Sequence, residues 1–151
     1  MIRRVSVEDL KAFVNVYKEA YRGLEEYAYI RSKDIKWYFR WLMNRDRDGF
    51  FAAVLNDNPV GFIASDTNWF SFFEGEEVGE IHEIVVHPRW QNRGIGSSLM
   101  IKALDYIRSR NRKVVELWVG IGNYKAIRFY ERFGFVKRGC MGRWLRMIKK
   151  L

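Results

Sequence analysis

The sequence predicts a mixed α/β fold with elements in the order βααβββαβαββ. Three observations predict it. Helical periodicity appears in two stretches before residue 45 and in two after residue 94, with apolar runs of strand length between them. Asn56-Asp57-Asn58-Pro59 separates the apolar runs Phe50–Leu55 and Val60–Ala64, a hairpin signal. The run Ile84-Val85-Val86, then Pro88, then Gln91-Asn92-Arg93-Gly94-Ile95-Gly96 reads as strand, glycine-rich turn and helix. The chain has 151 residues, 48% hydrophobic and 17% aromatic, enough for a real core and too apolar for disorder. With no repeat, linker or low-complexity stretch, residues 1–151 read as one domain.

Taken in order, residues 2–5 form a short strand. Ser6 caps the following helix, with Asp9 in place of the usual glutamate of a capping box. Leu10, Phe13, Val14, Tyr17 and Tyr21 then fall at helical spacing. Residues 33–44 form a second helix with Ile35, Tyr38, Phe39 and Leu42 on one side. The hairpin strands follow, the second running to about Asp66, and residues 69–75 read as an aromatic loop. The next strand spans about residues 78–86. Ile81 and Ile84 are three apart, which in a regular strand places them on opposite faces. There Glu83 would share a face with Ile81 and Val85, and Glu80 with His82; a bulge would reconcile the two isoleucines. Pro88 helps to end this strand. A helix over about 94–110 carries Ile95, Leu99, Ala103, Leu104 and Ile107 on one stripe. Residues 113–119 read as a buried strand. Residues 123–133 read as a helix capped by Asn123 and closed by Gly134. Residues 135–140 and 144–148 form a last antiparallel pair around Gly142.

Composition narrows the function classes. No apolar run approaches the roughly 20 residues of a membrane span. The start, Met1-Ile2-Arg3-Arg4-Val5-Ser6, lacks the apolar stretch of a signal peptide, so a cytoplasmic protein is expected, with no membrane partner. The single Cys140 excludes an internal disulfide framework and a multi-cysteine zinc site, and reads as a semi-buried structural thiol. The net charge of +9 attracts anions without choosing among nucleic acid, lipid and a phosphate-rich cofactor. There is no run of five like charges and no basic arm, so nucleic acid is not the expected partner.

The glycine-rich turn is the sharpest signal. A strand that turns through glycines into a helix presents free N–H groups to a phosphate. A dinucleotide fingerprint would need glycine or alanine where Leu99 stands, and a P-loop would need Gly-Lys-Ser/Thr, which is absent. The chain resembles the GCN5-related N-acetyltransferase (GNAT) superfamily over nearly its whole length. Its phosphate-binding pattern stands as Gln91-Asn92-Arg93-Gly94-Ile95-Gly96, preceded by Ile84-Val85-Val86-His87-Pro88. A second signature stands as Asn123, Ala126, Phe129-Tyr130 and Gly134-Phe135.

The resemblance implies a mostly antiparallel central sheet flanked by helices, with the fourth and fifth strands splayed apart. It implies acetyl-coenzyme A as cosubstrate and no metal. The pyrophosphate would lie on the N–H groups of Gln91, Asn92, Arg93, Gly94, Ile95 and Gly96, with Ser97 and Ser98 adding hydroxyls. The pantetheine arm would lie along Ile84, Val85 and Val86, with the Val86 N–H first choice for the thioester carbonyl. Asn123 would contact the arm or a thiol-side water, besides capping its helix. Tyr130 matches the tyrosine that protonates the departing thiolate. The general base would be Glu83, with Glu80 second; Trp118 stands near where other members carry a carboxylate. His82 is a proton relay or the partner of a glutamate. The acceptor, a primary amine on a small molecule or a protein, would sit between the N-terminal helices and the last hairpin. Glu25, Glu26, Tyr27, Tyr29 and residues 69–73 are candidate contacts, and the last hairpin is a candidate homodimer edge. Two other classes share these features: an acyl-coenzyme A sensor that binds without transfer, and a nucleic-acid module driven by charge.

Overall fold

The computed structural model describes every residue, Met1–Leu151. Its strands are β1 (Ile2–Arg4), β2 (Phe50–Leu55), β3 (Asn58–Ser71), β4 (Glu76–Val86), β5 (Val114–Gly120), β6 (Val136–Met141) and β7 (Trp144–Lys150). Its helices are α1 (Leu10–Ala20), α2 (Ser32–Arg45), α3 (Ile95–Ser109) and α4 (Tyr124–Arg132). The strands form one seven-stranded sheet in the order β1-β2-β3-β4-β5-β7-β6. Only the β4–β5 pair is parallel; every other neighbour is antiparallel.

The central strands are largely buried because both faces are covered, with polar groups such as Asp66, Glu80, Glu83 and Glu116 set among the apolar ones. On one face α1 and α2 bury Phe13, Tyr17, Ile35, Phe39 and Leu42 against Phe50, Ala52, Phe62 and Val85. Phe13 is the hub, with ring centroids 5.2 Å from both Phe39 and Phe62. On the other face α3 and α4 bury Leu99, Met100, Ala103, Ile107, Ile127 and Tyr130 against Phe51, Ile63, Ile81, Leu117 and Met147. Each large side chain so buried contributes about 1.5–3 kcal/mol before entropy is counted.

Three details differ from the sequence reading. The first hairpin turns on Asn56 and Asp57 alone, at φ 49° and 63°, so Asn58 and Pro59 already belong to β3. That two-residue, left-handed turn matches the twist of the flanking strands. β3 then runs on to Ser71, which makes Trp69, Phe70 and Ser71 strand rather than loop. The polar run Ser65-Asp66-Thr67 concealed this, yet all three are buried and bonded: Asp46 accepts from the Thr67 N–H at 2.7 Å, and Ser65 donates to the Gly49 carbonyl at 2.7 Å. Cys140 is exposed, not semi-buried, because β6 is an edge strand that no helix covers.

β4 carries the bulge that the isoleucine spacing required. Ala64 pairs with Glu83 and Ser65 with Ile81, so His82 is the extra residue. Ile81 and Ile84 therefore both face α3 and α4. Glu83 instead turns with Val85 to the α1–α2 face, away from Ile81, where a regular strand would have put it.

β4 and β5 pair only through Gly79–Val115, Glu80–Glu116 and Ile81–Leu117. Past that point β4 continues to Val86 and β5 to Gly120 with no ladder between them. The two strands splay, and the gap opens at the bulge.

Candidate active site

The backbone of β4 supplies the wall of the gap. The His87 N–H donates to the Val60 carbonyl at 2.8 Å, and Val85 pairs with Phe62. Alternation along an antiparallel ladder then aims the polar groups of Ile84 and Val86 away from β3, into the gap. The Val86 carbonyl accepts from Gln91 Nε2 at 2.8 Å, and Gln91 Oε1 accepts from Lys125 Nζ at 2.9 Å. The Gln91 side chain thus ties β4 to α4 across the mouth of the gap.

The glycine-rich turn ends at Gly94, which caps α3 at φ 81°, a conformation that a side chain would strain. The next N–H groups, of Ile95, Gly96 and Ser97, lie in the first turn and have no intrahelical acceptor. The Ser98 N–H is already bonded to the Gly94 carbonyl at 3.0 Å. A cleft of about 650 Å³ reaches the first turn at Gly96 and Ser97 and is lined by Gln91, Asn92, Gly94, Gly96 and Ser97 from the turn, Ile84, Val85 and Val86 from β4, and Asn123, Lys125 and Tyr130 from α4 and its cap. Arg93, Ile95 and Ser98 line a separate small cavity beside Met1 and Ile2 instead, and the Arg93 guanidinium sits 5.1 Å from the Trp90 ring centroid. Asn123 caps α4 by accepting from the Ala126 N–H at 3.4 Å.

Glu83 stands at the inner end of this cleft. A second cavity, of about 700 Å³, opens from the other side, and both are lined by Tyr21, Tyr27, Ile81, His82, Glu83, Trp118 and Trp144. The Glu83 carboxyl accepts from the Tyr21 hydroxyl at 2.5 Å and the Tyr38 hydroxyl at 2.9 Å. Burial pushes it up to about 7, although the two tyrosine bonds pull the other way. Tyr130 lies buried on α4 with its side chain lining the cleft; burial, and then the charge of Glu83, hold its hydroxyl above the ordinary range.

Glu80 sits in a different setting. It is buried directly opposite Glu116 on β5, and its Oε1 has no hydrogen-bond partner. Burial, then the adjoining Glu116, hold its carboxyl well above the usual range. His82 pairs with neither glutamate: its Nε2 lies 2.8 Å from Asp66, and its ring sits between Trp41 and Trp69. Burial raises Asp66, but the bonds from His82 and Arg45 outweigh it and hold it below its ordinary value.

The second cavity collects Glu26, Tyr27 and Tyr29 from between the N-terminal helices, and Met141, Arg143 and Trp144 from the last hairpin. Glu25 is not on its wall; it accepts from the Gly23 N–H at 3.1 Å. Residues 69–73 stay outside it as well: Trp69 packs on His82, and Phe72 is 91% exposed at the tip of the β3–β4 hairpin. The sequence reading did not find Tyr21 and Tyr38 as partners of Glu83. Both carry helical spacing that signals core, and nothing local marks a bond that spans 62 or 45 residues.

A helix start that offers free N–H groups, a gap between splayed parallel strands, and a buried carboxyl at its inner end define an acyltransferase type of domain. The chain belongs to the acetyltransferase (GNAT) family, whose model matches residues 10–135. It is 50% identical over 150 residues to the uncharacterized N-acetyltransferase MJ1207 of Methanocaldococcus jannaschii, matching 99% of this chain but 66% of that longer one. It is 58% identical over 129 residues to an uncharacterized N-acetyltransferase of Archaeoglobus fulgidus, matching 85% of this chain and 88% of that one. Among solved structures, PH1933 from Pyrococcus horikoshii superposes with a TM-score of 0.92 at 42% identity, over 100% of this chain and 98% of that one. The PaiA N-acetyltransferase of Thermoplasma acidophilum, solved with coenzyme A, shares the fold, with a TM-score of 0.80 at 21% identity, over 100% of this chain and 98% of that one.

Proposed function

We propose that the protein transfers the acetyl group of acetyl-coenzyme A directly to a primary amine, in a ternary complex and without a covalent enzyme intermediate. The observation that carries this reading is Glu83, which lines both the cleft and the second cavity and is held by Tyr21 and Tyr38, with burial pushing its carboxyl up to about 7. A lysine-type amine has a pKa near 10.4, so only about one in a thousand is neutral at pH 7. A base must take its proton, and a group with a pKa close to the working pH does so best. Glu80, whose carboxyl is held well above the usual range by burial and the adjoining Glu116, is the poorer candidate.

The other roles extend the same reading. The N–H groups of Ile95, Gly96 and Ser97 receive the pyrophosphate, where the helix dipole also favours negative charge. The gap between β4 and β5 receives the pantetheine arm along Ile84 and Val86. The Val86 N–H stabilises the oxygen that gains charge as the amine attacks. Asn123 adds a polar group at the thiol end. Tyr130, protonated and facing the cleft, gives its proton to the departing thiolate. That the PaiA N-acetyltransferase, which shares this fold, was solved with coenzyme A supports the donor assignment. The amine itself is held in the second cavity.

Tyr130→Phe tests the acid. The variant is expected to lower kcat by about 10²-fold while its acetyl-coenzyme A affinity stays within about twofold, since the ring still fills its place on α4. Thiol release and calorimetric titration measure the two quantities. An unchanged kcat would remove Tyr130 from the mechanism.

A further inference from the structure

Glu83 is 8% exposed, and both of its carboxyl oxygens are already engaged: Oε2 accepts from the Tyr21 hydroxyl at 2.5 Å and Oε1 from the Tyr38 hydroxyl at 2.9 Å. Around it stand Tyr17 and Tyr21 from α1 and its end, Tyr38 from α2 and Tyr130 from α4. No lysine, arginine or histidine side chain is bonded to it.

The two tyrosines bonded to Glu83 differ in what they face. Tyr38 lines only the second cavity, whereas Tyr21 lines that cavity and the cleft. The Tyr38 hydroxyl has a second acceptor, the His82 carbonyl at 3.1 Å, so its proton is shared between two groups of β4. The Tyr21 hydroxyl gives its one proton to Glu83 and accepts from no N–H or O–H of the protein. Neighbouring hydroxyls do accept: Tyr17 takes the Tyr29 N–H at 3.0 Å, and Tyr27 the Gly122 N–H at 2.8 Å. The Tyr21 oxygen therefore keeps its lone pairs for a donor that arrives through the cavities. Helical spacing fixes its ring, which lies 4.7 Å from that of Tyr17, one turn earlier.

We infer that Tyr21 is the group that touches the acceptor nitrogen, and that it relays the proton to Glu83. The ammonium gives one proton to Tyr21 Oη as Tyr21 gives its own to Glu83 Oε2. Tyr21 is neutral before and after, Glu83 ends as the carboxylic acid, and the nitrogen lone pair is freed to attack the thioester. No tyrosinate forms, which suits a hydroxyl that burial and the Glu83 charge hold well above its ordinary range. Tyr38 is a positioning residue: it ties the carboxyl to the bulge and moves no proton. The relay rests on the transfer reading above and adds the route of its proton.

Tyr21→Phe and Tyr38→Phe are compared with wild type in thiol release from acetyl-coenzyme A, across the rise in rate with pH. The acceptors are a panel of primary amines that includes butylamine and a short peptide with a free N-terminus. Each variant keeps its ring and removes one bond that favours the carboxylate, so in both the rise should move to higher pH. The limiting kcat above the rise separates them. In Tyr38→Phe it should stay within about threefold of wild type; in Tyr21→Phe it should fall about 10²-fold, the scale of one acid–base group. Acetyl-coenzyme A affinity should hold within about twofold in both. A fall of less than about tenfold in Tyr21→Phe, or an equal fall in the two variants, would overturn the inference and leave amine acetylation by the wild type intact. A crystal of the wild-type protein with a butylamine–acetyl–coenzyme A conjugate needs no variant. The conjugate nitrogen is expected within hydrogen-bond reach of Tyr21 Oη, about 3.2 Å, and beyond that reach from both Glu83 oxygens. A nitrogen bonded directly to Glu83 would overturn the relay. Absence of thiol release from the wild type with every amine would overturn the transfer reading, and the relay with it.

Discussion

Glu83→Gln is expected to lower kcat/KM by about 10²- to 10⁴-fold and to remove the rise in rate through pH 7. The active form of Glu83 is the carboxylate, so the wild-type rate should climb as pH passes about 7, the value to which burial raises this group. Glutamine keeps the shape and can still meet Tyr21 and Tyr38 but accepts no proton. The same shift makes a prediction about stability. A carboxyl raised from 4.5 to about 7 in the folded state contributes stability that is full below 4.5 and is lost as pH rises towards 7. The loss is on the order of 3 kcal/mol above that window. The neutral glutamine does not suffer it. The variant should therefore gain on wild type in denaturant unfolding at pH 8 relative to pH 5, while losing activity at both. A wild-type rate profile in Glu83→Gln would move the base to Glu80 or to water.

Arg146→Met should be the most destabilising single change at the fork of the sheet. The Arg146 guanidinium donates to Glu116 and to Glu74 at 2.6 Å each, lies 4.6 Å from the Phe73 ring centroid, and is itself 5% exposed. Methionine fills similar space but leaves Glu116 and Glu80 buried side by side with no cation. Removing one partner of a buried pair costs about 3–5 kcal/mol, chiefly from the charge left behind. Glu80–Glu116 is also the middle rung of the short β4–β5 ladder. The fork should loosen, and acetyl-coenzyme A affinity should fall with stability. Denaturant unfolding measures the first and calorimetry the second. A loss below about 1 kcal/mol, the scale of an exposed pair, would mean that this network does not hold the fork.

Legibility in the sequence followed the range of the interactions. The helices, the succession of elements along the chain and the glycine-rich turn were readable because periodicity and turn chemistry are local. Even the bulge announced itself, through Ile81 and Ile84. The far half of β3 did not, because Ser65, Asp66 and Thr67 look like loop until Asp46 and Arg45, some twenty residues earlier, are seen to satisfy them. In the site, the turn and Tyr130 were legible through family motifs. Which of Gln91–Ser98 face the cleft was not: Arg93, ahead of the helix, and Ile95 and Ser98 on it line the small cavity on the other side. Glu83 stood ahead of Glu80 in the sequence reading, but the surroundings that separate them were hidden. The two are three residues apart on one strand, and only the tyrosines around one and the glutamate beside the other separate their chemistry.

Calorimetric titration of the intact chain with acetyl-coenzyme A tests the central claim most directly. The cleft, the N–H groups at the start of α3 and the gap in the sheet predict saturable binding with one site per chain and a Kd between about 1 μM and 1 mM, the range of ordinary enzyme substrates. Gly94→Val, which strains the cap of α3, should weaken it. No heat of binding at millimolar acetyl-coenzyme A would contradict the account at its root.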